Sequence, residues 1–210
     1  MKAIIFDMDG VIINSEPIHV KLERELLEEL GGTITDEEHS NFIGTTDYHM
    51  WSTFKEQFDI ELSVDEMIKI KRDRFNENIQ RVELVPEFWD FFIEVYNTGY
   101  PLALASSNNR VTVDLIVEKF NLNKYLKVIM SGDDVNKGKP HPEIFLKTAE
   151  KLGVSPFNCI VIEDAKNGVL AAKAAGMKCI GFNNPVFEKQ DLSKADLVVN
   201  SFQELKLHFT

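Results

Sequence analysis

The sequence predicts a doubly wound, parallel α/β sheet of the Rossmann-like type, with a small α-helical domain inserted after the first strand. Six short apolar runs have the length of strands: Ala3–Phe6, Leu102–Ala105, Val128–Met130, Ile160–Ile162, Ile180–Phe182 and Leu197–Val199. None of them alternates polar and apolar residues, which is typical of strands covered by helices on both faces of a parallel sheet. Helical segments separate several of the runs, as an alternating α/β fold requires.

Three segments between these runs carry the helical signal. Val111–Phe120 and Pro142–Leu152 have apolar residues at helical spacing, and Asn167–Ala175 is rich in alanine before Gly176. Helices in these places would connect neighbouring parallel strands.

One long stretch, from Asn14 to about Arg81, contains no run that suits a buried strand. Helix signals dominate it: Ser15 and Pro17 open a helix, Gly31-Gly32 ends it, and Thr35–Glu38 and Ser63–Glu66 are capping boxes. We therefore predict a catalytic core of residues 1–14 and 82–210 and a helical cap of residues 15–81.

The composition excludes some classes of partner. The chain has 23 basic and 34 acidic residues and a formal charge of −11, which argues against binding to nucleic acid or to an anionic membrane. No apolar stretch approaches the roughly 20 residues of a membrane-spanning helix, and the first apolar run is too short for a signal peptide. Cys159 and Cys179 lie in apolar runs, so we expect buried, reduced thiols and a cytoplasmic enzyme.

Residues with acidic, hydroxyl or amide side chains lie just after three of the apolar runs. Asp7 and Asp9 follow the first run, Ser106 and Asn108 follow Leu102–Ala105, and the pair Glu163-Asp164 follows Ile160–Ile162. Because parallel strands end at one edge of a sheet, we expect these side chains to converge there. Lys139, in a proline-flanked loop, is expected nearby.

The charges of this group indicate its chemistry. Four carboxylates and one lysine would give the cleft a net charge of −3, and burying that charge is costly without a cation. A donor set made only of oxygen favours Mg²⁺ over zinc. With Mg²⁺ and Lys139 present, a carboxylate can approach a phosphate dianion, so the sequence predicts a small phosphorylated metabolite as substrate.

Four motifs occur in order along nearly the whole chain: Asp7-Met8-Asp9-Gly10-Val11, Ser106 after an apolar strand, Gly138-Lys139-Pro140, and Glu163-Asp164 followed by Gly168. Together they resemble the motifs of the haloacid dehalogenase-like superfamily. The helical insertion is similar to the α-helical cap of its β-phosphoglucomutase-like branch. The resemblance implies that the chain is a magnesium-dependent phosphatase that forms an aspartyl-phosphate on Asp7. It also implies a sugar phosphate as the expected substrate.

The resemblance also implies roles for the other residues. Asp9 would protonate the leaving oxygen and then activate water, while Ser106 and Lys139 would contact the phosphoryl group. The metal would bind Asp7, the Asp9 backbone carbonyl and Asp164, with Glu163 either a direct ligand or an orienter of metal-bound water. Asn108 is a candidate phosphate ligand through its side-chain amide.

Three other functions compete with the phosphatase. A β-phosphoglucomutase would carry basic residues at the positions that Ile43 and Asp47 occupy, beside Gly44, so this stretch argues against a mutase. A dehalogenase needs neither a leaving-group acid nor the acidic pair. A receiver-like phosphoacceptor module would place its acidic pair after the first strand and its phosphorylated aspartate later, the reverse of the order here.

Several conspicuous residues receive structural interpretations. We expect Phe88-Trp89 and Phe91-Phe92 to pack in the core, and His39 to be structural or on the surface. Lys71, Arg72 and Arg74 are expected on a solvated helix face, and one of them is a candidate contact for the substrate. His19, on the first cap helix, is either an ordinary helix residue or a hydrogen-bond partner of a loop carbonyl near Asp9.

Overall fold

A computed structural model describes residues 2–42, 45–184 and 190–209 of the chain. The chain forms two compact units, one of Met1–Asn14 with Glu83–Thr210 and one of Ser15–Val82. Within the described residues the strands are, in chain order, β1 (Ala3–Phe6), β2 (Ile13–Asn14), β3 (Glu83–Leu84), β4 (Leu102–Ala105), β5 (Leu126–Met130), β6 (Cys159–Glu163), β7 (Lys178–Phe182) and β8 (Leu197–Val199).

The helices of the same residues begin in the second unit with α1 (Glu16–Glu29), α2 (Asp36–Ser40), α3 (Asp47–Phe58) and α4 (Val64–Glu77). The first unit contains α5 (Phe88–Asn97), α6 (Arg110–Lys119), α7 (Glu143–Leu152), α8 (Lys166–Ala174) and α9 (Phe202–Lys206). The helices predicted at Val111–Phe120, Pro142–Leu152 and Asn167–Ala175 are α6, α7 and α8. In the described residues, no helix has both the length and the apolar character needed to cross a bilayer.

The first unit is built on a parallel sheet whose described strands run in the order β5-β4-β1-β6-β7-β8. All five strand pairs are parallel, and β1 lies between β4 and β6. The chain moves outward from β1 in one direction through β4 and β5, and then in the other through β6, β7 and β8. The predicted doubly wound sheet is thereby confirmed, and all six predicted strands are present.

Both faces of the central strand are buried, which explains its unbroken apolar sequence. Phe6 contacts Phe88 and Phe92 of α5 at ring-centroid distances of 5.9 and 5.5 Å. On the opposite face, Ile5 belongs to a core that includes Phe145 of α7 and Val169 of α8. Successive side chains of a strand point to opposite faces, so a strand between two helical layers must be apolar throughout. The expectation of core packing is confirmed for Phe88, Phe91 and Phe92, whereas Trp89 is only half-buried.

The second unit consists of helices α1 to α4 around an apolar core of its own, with Trp51 and Phe54 of α3 fully buried in it. Both predicted capping boxes form. Thr35 and Ser63 accept from the backbone of Glu38 and Glu66, and those glutamates accept from the cap residues in return. Capping of this kind satisfies backbone donors that the first turn of a helix leaves open.

The prediction that Lys71 lies on a solvated helix face is wrong, because its side chain is only 7 % exposed. Its Nζ lies 3.0 Å from Glu23 Oε1 and donates to Asp47 Oδ1 at 3.0 Å. His39 is also buried, with Nε2 2.8 Å from Glu23 Oε2. A lysine with two carboxylate partners can leave water because the ion pairs replace its hydration.

The pKa values of this buried cluster reflect the same pairing. Burial lowers the pKa of Lys71, but the Glu23 and Asp47 carboxylates outweigh burial and raise it. Burial raises the pKa of Glu23, but the hydrogen bond with His39 and the charge of Lys71 outweigh burial and lower it. Each group is therefore held in its charged form by the other.

Removing the Lys71 charge should destabilise the protein. Lys71→Met leaves Glu23 buried without its cation, and loss of one partner of a buried pair costs about 3–5 kcal/mol. The measurement is urea unfolding followed by circular dichroism. The matched control is Lys69→Met on the same helix, which breaks only the exposed pair with Asp73 and should cost less than about 1 kcal/mol. Equal losses in the two variants would contradict the inferred importance of the buried pair.

Candidate active site

Three loops meet at the carboxyl edge of the sheet, at the point where the strand order reverses direction about β1. Phe6 pairs with Leu104 of β4 and with Ile162 of β6, so the residues that follow these strands lie side by side. The backbone N–H of Asp7 donates to Ile162 O at 3.0 Å. Open α/β sheets bind ligands at such a switch point.

The Lys139 ammonium joins all three of these loops. Its Nζ donates to Asp7 Oδ1 at 2.5 Å, to Glu163 Oε1 at 2.7 Å and to the backbone oxygen of Ala105 at 3.1 Å. These contacts use all three hydrogens of the ammonium group. The side chain is 6 % exposed, so Lys139 is a fixed positive charge between two buried carboxylates.

Asp7, Glu163 and Asp164 form a compact acidic group, with one ligand oxygen from each lying within 4.8 Å of the others. Burial raises the pKa of Asp7 to about 7, against the opposing charge of Lys139. Burial, followed by the charges of Glu163 and Asp7, raises the pKa of Asp164 well above its ordinary value. Neighbouring carboxylates with so little compensation fit the oxygen donor set of a hard divalent cation.

Two glycines let the loops come this close. A Cβ on Gly168, in α8, would lie 1.6 Å from Glu163 Oε1. A Cβ on Gly10 would lie 1.8 Å from Asp164 Oδ2, and Gly10 also has a φ of +72°, which disfavours other residues. Only glycine leaves room for the acidic pair at these two positions.

Glu163 has a partner for each carboxylate oxygen. Oε1 accepts from Lys139, and Oε2 accepts from the backbone N–H of Ala165 at 2.9 Å. The carboxylate is almost completely buried. It therefore fixes the position of Lys139 and the start of the turn into α8.

Ser106 and Asn108 lie in the loop after β4, where the sequence places them. Ser106 is completely buried, and its Oγ accepts from the backbone N–H of Asn108 at 3.1 Å. The Asn108 amide donates to Asp9 Oδ2 at 2.5 Å. The structure thus brings all seven candidate residues to one edge of the sheet: Asp7, Asp9, Ser106, Asn108, Lys139, Glu163 and Asp164.

Sequence reasoning missed two supporting elements at the same edge. Buried Asn184, just after β7, donates through Nδ2 to the backbone oxygen of Gly10 at 2.9 Å. Ser131–Asp134, just after β5, contacts the Asn108 loop through the N–H of Gly132. Both are polar segments that come directly after a strand of the parallel sheet. The expectation that residues after β1, β4 and β6 converge at one edge applies equally to residues after β5 and β7, and would have found them.

The sequence model of the haloacid dehalogenase-like hydrolase family matches residues 4–182 of this chain. The chain belongs to that family. It is 34% identical over 184 residues to the phosphorylated carbohydrates phosphatase of Thermotoga maritima, covering 86% of this chain and 84% of that protein. The crystal structure of CbbY from Rhodobacter sphaeroides in complex with phosphate has 27% identity and a TM-score of 0.84, covering 98% of this chain and 96% of CbbY.

The fold also matches a phosphomutase. A crystal structure of β-phosphoglucomutase from Clostridium difficile has 27% identity and a TM-score of 0.81, covering all of this chain and 95% of the mutase. The resemblance to haloacid dehalogenase-like enzymes of the β-phosphoglucomutase-like branch is confirmed. The predicted class of enzyme, a phosphatase of this family, is confirmed at the same level, since relatives carry that name.

Gly168→Ala should weaken metal binding at the magnesium site that the sequence predicts, although it favours the helix. Alanine is the better helix former by roughly 1 kcal/mol, but its Cβ would occupy the place of the Glu163 carboxylate. Displacing a group that orients metal ligands typically costs about 10–100-fold in metal affinity or activity. The measurement is activity against Mg²⁺ concentration, with circular dichroism to check folding. A folded variant with unchanged Mg²⁺ dependence would contradict the inferred close packing.

Proposed function

We propose that the chain is a magnesium-dependent phosphatase that hydrolyses a small phosphorylated metabolite, with a sugar phosphate as the favoured class, through an aspartyl-phosphate on Asp7. The observation that carries the proposal is the buried Asp7 carboxylate, which contacts Lys139 and lies within a group of acidic oxygens. A carboxylate so placed can act as a nucleophile toward phosphorus once the surrounding negative charge is compensated.

In the first step, an oxygen of Asp7 forms a bond to phosphorus as the bond from phosphorus to the ester oxygen breaks. Asp9 donates its proton to the departing oxygen, which leaves as an alcohol. Ser106 donates its hydroxyl hydrogen to a phosphoryl oxygen, and Lys139 holds positive charge beside the phosphoryl group.

In the second step, Asp9 takes a proton from water and the resulting hydroxide attacks phosphorus. The bond from phosphorus to Asp7 breaks, which returns the carboxylate and releases inorganic phosphate. Asp9 regains the proton it gave away, so each step resets it for the other.

Asp7, Asp164 and the backbone oxygen of Asp9 would hold Mg²⁺, which when bound supplies positive charge that lets an anionic nucleophile meet an anionic phosphate. Glu163 has both oxygens engaged, by Lys139 and by Ala165. That engagement favours the second of its two predicted roles, in which it orients its neighbours.

A phosphatase is favoured over a phosphomutase by Asp47. The mutase alternative requires basic residues at positions 43 and 47; Ile43 and Gly44 lie outside the described residues. Asp47 accepts from Lys71 through both carboxylate oxygens, at 3.0 Å each. An aspartate at the position where a mutase carries a basic residue would repel the second phosphate of a bisphosphate intermediate. The name of the Thermotoga relative supports phosphorylated carbohydrates as the substrate class.

The nucleophile is tested by Asp7→Asn. The amide keeps the shape of the side chain but cannot attack phosphorus, so turnover of p-nitrophenyl phosphate should fall by more than about 10³-fold. Beryllium fluoride should label Asp7 in the wild type. Asp114→Asn makes the same chemical change on an exposed helix position and should leave turnover unchanged. A label on any other residue would refute the assignment.

Activity should depend on a divalent cation. Exhaustive EDTA treatment should abolish phosphate release, because the acidic group would then repel the substrate phosphate. Adding Mg²⁺ should restore it, and Mn²⁺ or Co²⁺ are expected to substitute. The measurement is release of inorganic phosphate from a panel of sugar phosphates. Full turnover without metal would rule out the proposed mechanism.

A further inference from the structure

The side-chain amide of Asn108 is engaged inside the site. Nδ2 lies 2.5 Å from Asp9 Oδ2 and 3.4 Å from Ser106 Oγ. An amide nitrogen carries two hydrogens, and in this arrangement one is directed at each of these oxygens. The amide therefore has no donor left for a phosphoryl oxygen, which is the role that the sequence suggested for it.

The backbone of Asn108 is held on both sides of this amide. Its N–H donates to Ser106 Oγ at 3.1 Å, and its carbonyl accepts from the N–H of Gly132 at 2.7 Å. A Cβ at position 132 would lie 2.4 Å from the backbone oxygen of Ser107 and 3.2 Å from that of Asn108. Only glycine allows the turn after β5 to approach this loop so closely.

That turn is itself braced. Buried Ser131 donates to Asp134 Oδ2 from its backbone N–H at 2.7 Å and from Oγ at 2.9 Å. The N–H of Arg110 donates to Asp133 Oδ2 at 2.8 Å, and the Arg110 guanidinium pairs with Asp134. The segment Ser131–Asp134, which we call the β5 turn, thus links the start of α6 to the loop that carries Asn108.

We propose that Asn108 is the positioning residue for Asp9 and that the β5 turn holds Asn108 in place. The proposal rests on the acid/base role of Asp9 in the proposed function. One oxygen of Asp9 is tied to the amide, so the direction of the carboxylate toward the ester oxygen is set. A neutral donor does this without changing the charge of the site. Misplacement of a reacting group by about 1 Å can cost on the order of 10²-fold in rate.

The test compares two substrates of the same shape, phenyl phosphate and p-nitrophenyl phosphate, in single-turnover bursts. Phenolate is the more basic leaving group and depends more on protonation by Asp9. Asn108→Ala should slow the phenyl phosphate burst about tenfold more than the p-nitrophenyl phosphate burst, a part of the 10²–10⁴-fold that general acid catalysis supplies. Asp9→Asn should show the same preference with a larger ratio.

A second variant tests the β5 turn without removing any polar group. Gly132→Ala should displace Asn108 and produce the same leaving-group preference, smaller in size. Ser107→Ala alters an exposed neighbour in the same loop and should leave both bursts unchanged. Circular dichroism checks that each variant is folded.

Equal slowing of both substrates by Asn108→Ala would overturn the proposal and return Asn108 to phosphate binding. Unchanged bursts would also overturn the proposal and would exclude both roles for Asn108. Either result beside an intact wild-type burst leaves the proposed function standing. If the wild type releases neither phenol nor p-nitrophenol in the presence of Mg²⁺, the proposed function itself is refuted, and the role of Asn108 with it.

Discussion

The contact between Lys139 and Asp7 is the interaction on which the site depends. Asp7 follows the central strand of the sheet and is buried, where an isolated carboxylate would be protonated or would disrupt the fold. Lys139 supplies the opposing charge and at the same time bonds Glu163 and the backbone at Ala105. One ammonium group thus ties three loops together and holds the Asp7 carboxylate in a buried position. The remaining negative charge fits the divalent cation that we propose for the site.

The rest of the site depends on loops that approach one another closely, which the order of the strands and three glycines allow. The reversal of strand order about β1 leaves an opening at one edge of the sheet, and the loops after β1 and β6 meet there. The carboxylates of Asp164 and Glu163 occupy the space that a side chain would fill at Gly10 and at Gly168, respectively. The turn after β5 approaches the Asn108 loop in the same way, through Gly132. The glycines in this site therefore have the same effect: each lets a neighbouring loop or side chain approach the backbone closely.

The helical unit contains a buried lysine whose charge is balanced by carboxylates. It buries Lys71 against Glu23 and Asp47, with His39 at the second carboxylate oxygen of Glu23. Such a cluster adds little stability when complete, but it is costly to break. Because Lys71 is already paired with Asp47, the unit presents less free positive charge than its sequence suggests.

The sequence by itself determined the parallel sheet, the helical insertion, the family and the seven residues at the sheet edge, because burial on two faces and the common direction of parallel strands leave their marks in local patterns. It did not reveal that Lys71 is buried, since a lysine on a helix reads as exposed unless its carboxylate partners, far away in sequence, are known. Nor did it show that the Asn108 amide contacts Asp9, or that Asn184 and the β5 turn support the loops. Those contacts join residues on different strands and helices. Only the tertiary structure decides which polar groups satisfy one another, because hydrogen bonds depend on distances that no local pattern encodes.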